Sequence, residues 1–137
     1  MSKWFLDPLN GLKSVVDRFF KDYKAREGIV REYTRDNYRY AVFFSLIDDV
    51  GNDLPAHLEF ASDYSGEYVI ITPTERTPAP FIKFFKERSD RLKAANIKIW
   101  VVDVDRKSID PFIGYPKDFR LLRGFKNPKL ASIIGSL

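Results

Sequence analysis

The chain has no cysteine. Disulfides, thiolate metal sites and cysteine nucleophiles are therefore excluded, and a reducing cytoplasm is the expected compartment. It also has no glutamine, one methionine and one histidine. A single histidine cannot build a histidine metal site, so His57 reads as structural. The scarcity of thermolabile side chains, beside 31% charged residues, points to a thermophilic source. No stretch approaches the ~20 apolar residues that span a bilayer. The opening run Met1–Pro8 is broken too early for a signal peptide, so no membrane association is expected. There is no phosphate loop, dinucleotide fingerprint or nucleophile elbow. No repeat, low-complexity segment or linker divides the 137 residues, and a single domain over 1–137 is expected.

What is present is a large apolar set. Hydrophobic residues make up 45% of the chain, with twelve Phe, seven Tyr and two Trp. Leu9, Leu12, Val15, Val16, Phe19, Phe20 and Tyr23 recur at helical spacing after Asp7-Pro8, which predicts a helix over 8–25 stopped by Gly28. Residues 29–35 read equally as helix or strand. Tyr38 to Ile47 is aromatic and β-branched, a strong strand. Asp48 to Asp53 reads as a turn, His57 to Ala61 as a short strand, and Glu67 to Thr72 as a buried strand. Phe81, Ile82, Phe85 and Leu92 mark a second helix, 78–95, with Thr77 as its cap. Ile97 to Val104 is nearly all apolar, which suits a strand covered on both faces and joined to the preceding one by a parallel crossover. Pro111, Gly114 and Pro116 punctuate a loop, Lys117–Arg123 reads as a short helix, and Asn127-Pro128 opens another. The expected fold is α+β: a mostly antiparallel sheet of four or five strands, with a strand–helix–strand crossover and helices packed on the sheet.

Charge is unevenly laid out. Residues 1–37 carry 8 basic and 6 acidic side chains, residues 38–75 carry 1 and 7, and residues 76–137 carry 14 and 6. The strongly basic last segment attracts phosphate by its field and by counterion release. Lys117, Arg120, Arg123, Lys126 and Lys129 alternate there with Tyr115, Phe119 and Phe125, a pattern suited to gripping DNA or RNA. The plainer reading is a solvated basic face over core phenylalanines. Of the carboxylates, Asp48, Asp49 and Asp53 cluster at the expected turn, where Asp commonly bonds local backbone. Glu59 lies within an expected strand, where it needs water, a partner or a metal. Asp103 and Asp105 share a face beyond a strand end, near Thr72 and Thr74, where ligands of crossover sheets bind. Capping of the following loop is the alternative for them.

The order helix, meander, helix, strand over about residues 8–105 resembles the core of the restriction-endonuclease-like (PD-(D/E)XK) nucleases. That family carries a carboxylate near one strand end and an acid-x-lysine triplet on the next strand. Asp63 would match the first carboxylate, but Ile71-Thr72-Pro73 stands where its triplet should fall. One strand earlier, Asp49 would match and Glu59-Phe60-Ala61 would be the triplet, with alanine in place of lysine; Lys83 or Lys86 on the helix would replace it. The resemblance implies Mg2+ held by Asp49, Glu59 and Asp63, with Lys83 as the fourth catalytic group, in a divergent or inactive nuclease. The rival expectation is a non-enzymatic interaction or chaperone-like module that forms homodimers.

Overall fold

A computed structural model describes residues 11–28, 30–74 and 79–127. Lys129 and the helix expected from Asn127-Pro128 onward lie outside the described residues, as do Thr77 and the start of the second long helix.

The first helix, α1 (Leu12–Phe19), buries Leu12, Val15 and Val16. Phe20 continues the same stripe just past its end. The chain leaves the helix at Phe20, well before the expected stop, and Lys24–Arg26 becomes strand β1. Its pairing with β2 (Arg31–Arg35) outweighs local helix propensity there, and residues 31–35 are accordingly strand. Strand β3 (Tyr38–Phe44) follows across a tight turn, where Asp36 takes a left-handed φ of 54°.

The largest correction falls next. The expected turn at Asp48–Asp53 is helix α2 (Ile47–Asn52), and the expected strand His57–Ala61 lies inside helix α3 (Leu54–Asp63). Leu54, His57, Leu58 and Ala61 have helical spacing and pack inward, and Pro55 sits in the first turn, where its missing N–H costs nothing. Strand β4 (Glu67–Pro73) therefore pairs with β3 in parallel, and no antiparallel meander forms here. Helix α4 (Ala79–Ala94) then crosses to β5 (Ile97–Asp103), which is parallel to β4 as expected. A further strand, β6 (Ser108–Ile113), occupies the expected loop. It contains Pro111 opposite Trp100, at an irregularity in the register. An edge strand tolerates proline because one row of its N–H groups needs no partner. A six-residue 3-10 helix, Phe119–Gly124, completes the described chain.

Six strands among the described residues form one mixed sheet in sequence order, with three antiparallel and two parallel pairs. The fold is α+β. Both crossovers set their helices on the same face, where Ile47, Val50, Leu54, Phe81, Phe84 and Leu92 pack on Tyr68, Ile70, Ile99 and Phe112. Connections of one hand between strands laid side by side in order give that result. The opposite face is covered by α1 and the 3-10 helix. Phe20 stacks on Tyr33 with centroids 4.4 Å apart, and Trp100 lies between Phe19 and Phe125. Trp100 is fully buried and its indole N–H donates to the Gly114 carbonyl at 3.1 Å. Aromatics of this size keep a polar handle satisfied inside a core.

Candidate anion-binding groove

On the α1 face, the end of α1 meets the 3-10 helix where Phe19 packs against Gly124. Beside that contact lies a cavity of about 470 Å3. Val15, Phe19, Ile109 and Leu121 contribute its apolar lining, and six cations surround it: Arg18, Lys21, Arg35, Lys107, Arg120 and Arg123. Among the described residues two carboxylates, Asp22 and Asp118, line it. These cations come from four places in the fold. The last turn of α1 and its exit give Arg18 and Lys21, the end of β2 gives Arg35, the β5–β6 turn gives Lys107, and the 3-10 helix gives the other two.

The cations differ in how far they are committed. Arg120 is fixed. Its guanidinium holds Asp118 through Nε at 2.8 Å and Nη2 at 2.9 Å, and reaches Asp36 at 3.2 Å. Arg35 has a loose contact of 3.7 Å with Asp22. Arg18, Lys21, Lys107 and Arg123 have no carboxylate partner among the described residues, and all four are exposed. Four uncommitted positive charges around one concavity raise the local concentration of anions.

Asp118 organises the groove wall. It caps the 3-10 helix by accepting the backbone N–H of Arg120 at 3.1 Å, and it also accepts the hydroxyl of Tyr23. It is fully buried. The hydrogen bonds from Arg120 outweigh burial and hold its carboxyl down at about 2. Burial raises the Tyr23 hydroxyl, and Asp118 raises it further, so Tyr23 stays a neutral donor. With its charge met by Arg120, Asp118 adds little repulsion to an incoming anion.

Behind this wall a second polar chain fastens the preceding loop. The N–H of Asp118 donates to the Tyr40 hydroxyl at 3.1 Å, and the N–H of Lys117 donates to Glu67 Oε1 at 2.9 Å. Glu67 is buried and pairs with buried Lys98 at 3.2 Å, whose ammonium also donates to Asn96. Burial lowers the Lys98 ammonium, and Glu67 opposes that. Tyr40, Glu67 and Lys98 sit near the starts of β3, β4 and β5. None of these three emerges from sequence as a site residue. A lysine and a glutamate inside otherwise apolar strands are the signal that points to them, since such charges require partners.

The sequence-derived site residues scatter. Of the five candidate nucleic-acid contacts, Arg120 and Arg123 line the groove. Lys117 and Lys126 are exposed outside its lining. Asp49 lies on α2, Glu59 and Asp63 on α3, and Lys83 and Lys86 on α4; all are exposed. Glu59 is thus a solvated helix residue, and the need that a strand carboxylate would have for a metal disappears. Among the described residues no group of three or more His, Asp or Glu is placed to hold a metal ion. Asp103 accepts the N–H of Arg106 at 3.2 Å and so caps the β5–β6 turn, while Asp105 is exposed. His57 is buried, bonded through Nδ1 to the Tyr68 hydroxyl at 2.7 Å and packed edge-on to Phe43. Burial lowers its imidazole, which therefore stays neutral.

The family described as Domain of unknown function (DUF6834), C-terminal domain, matches residues 1–127. The chain belongs to that family. A search among curated proteins finds no match. Among the described residues no helix is long and apolar enough to cross a membrane.

Proposed function

We propose that this chain is a nucleic-acid-associated module that holds phosphates of DNA or RNA in the groove between α1 and the 3-10 helix. The observation that carries this reading is the gathering around one cavity of Arg18, Lys21, Lys107 and Arg123, none of them paired with a carboxylate among the described residues. The proposed role is binding. No cleavage step is assigned, because Asp49, Glu59 and Asp63 stand exposed on helices of the opposite layer. Anisotropy of a labelled oligonucleotide across a salt series tests it. Four neutralised phosphates on a single strand give a slope of log K against log salt of about −3. A slope near zero, or no binding at low salt, removes the reading.

A second reading, a homodimeric interaction module, is favoured by one feature: Phe119 is 72% exposed beside Leu122 at 36%. It requires a mass above 16.0 kDa that rises with concentration and falls to the monomer value in Phe119→Ser.

A further inference from the structure

We infer that the groove takes a single strand rather than a duplex, with one base stacked on the exposed ring of Phe119; this deepens the phosphate-binding reading and rests on it. In a 3-10 helix, residues three apart lie over one another. Phe119–Gly124 therefore presents three stripes. Leu121 and Gly124 share one stripe, Leu121 buried and Gly124 exposed but set against the ring of Phe19. Arg120 and Arg123 line the groove. Phe119 and Leu122 form the third stripe, next to the cationic one, and they are among the most exposed large apolar side chains of the described residues.

This exposed ring is carried on a held element. Asp118 caps the helix, Arg120 pins Asp118, and Leu121 and Phe125 anchor the helix in the core. The ring therefore stands on fixed backbone, on the same short helix as Arg123, an uncommitted cation of the groove. A strand whose backbone follows Arg123, Lys21 and Arg18 can turn a base onto Phe119. Stacking of this kind is tolerant of sequence, because every base has a π-face. In a duplex the base faces are already covered by their neighbours, so the ring would have nothing to stack on. The cavity, at about 470 Å3, is also of small-molecule scale, which suits a nucleotide unit better than a whole double helix. Two apolar side chains give far less area than a specific protein interface needs, and less than an anchoring amphipathic helix inserts in a membrane. The cations beside them supply charge complementarity to phosphate.

The test uses the full chain and its Phe119→Ala variant, with four probes: a labelled 12-nucleotide oligo(dT), a blunt duplex of equal length, inorganic polyphosphate, and vesicles containing phosphatidylserine. Phe119 is exposed, so the variant keeps its core; circular dichroism and the thermal midpoint check this. The expected result is tighter binding of oligo(dT) than of duplex, and a loss of roughly five- to hundredfold for oligo(dT) in the variant. Polyphosphate affinity stays unchanged in that variant. Equal affinity for duplex and single strand, or oligo(dT) affinity unaffected by Phe119→Ala, overturns the inference while leaving the groove reading intact. Vesicle binding or dimerisation that depends on Phe119, with oligo(dT) affinity unchanged, overturns it as well. If the wild-type chain binds none of the four probes, the groove reading itself fails.

Discussion

Replacing Asp118 with asparagine should loosen the groove and alter how the protein responds to acid. Asp118 is fully buried and accepts bonds from Arg120 and Tyr23. Its carboxyl is held at about 2, against 3.8 ordinarily, chiefly by the bonds from Arg120. A folded-state value below the unfolded one stabilises the fold above the unfolded value, and that contribution is lost as pH falls through the folded one. The window is therefore from about pH 4 down to about pH 2. The size follows from the same displacement, about 2 to 3 kcal/mol in favour of the fold at neutral pH. Asparagine keeps the shape and one acceptor but removes the charge. Urea unfolding followed by the fluorescence of buried Trp100 should show the variant about 2 kcal/mol or more less stable at pH 7. The gap should shrink by most of that amount at pH 2.5, where wild type has lost much of the contribution. A gap that is the same at both pH values would show instead that the carboxylate acts through shape alone.

Further outcomes follow from neighbouring contacts. Gly124→Ala would bring a Cβ within 2.7 Å of the Phe19 ring, so the 3-10 helix must shift and stability should fall by about 1–3 kcal/mol, read as a lower thermal midpoint. Glu67→Gln should cost about 3–5 kcal/mol by leaving buried Lys98 without its counter-ion, and adding Lys98→Met should restore part of the loss in a double-mutant cycle. Trp100→Ala should cost about 3–5 kcal/mol in urea unfolding, since it empties the centre of the α1-side core.

The sequence made some of this legible through periodicity. The stripe Leu12, Val15, Val16 and Phe20 showed α1, and the apolar runs Tyr68–Ile71 and Ile99–Val102 showed the central strands. Residues 57–61 misled because His57, Leu58, Phe60 and Ala61 over so short a window fit a strand and a helix alike. The helical assignment depends on Leu54, which lies between the expected turn and the expected strand and belonged to neither. β6 was hidden by Pro111, whose tolerance at an edge depends on knowing which strand is the edge. The groove was half visible. The basic balance of residues 76–137 pointed to Arg120 and Arg123, but Arg18, Lys21 and Arg35 come from a segment with little net charge. Only the placement of α1 across the sheet brings them together. Arg120 itself turned inward because Asp118, two residues earlier, is buried beneath it. A spacing of two can place a pair in contact, but nothing local says that the acid is buried.

Two double charge reversals, compared at one salt concentration, separate groove binding from attraction by overall charge. Arg18→Glu/Arg123→Glu changes the groove; Lys83→Glu/Lys86→Glu makes the same change in net charge on exposed positions of α4, across the sheet. If the groove is the binding site, the groove pair abolishes oligonucleotide binding and the α4 pair weakens it only slightly. Equal losses in the two variants would contradict groove binding, since the protein would then attract nucleic acid through its overall charge and not through this site.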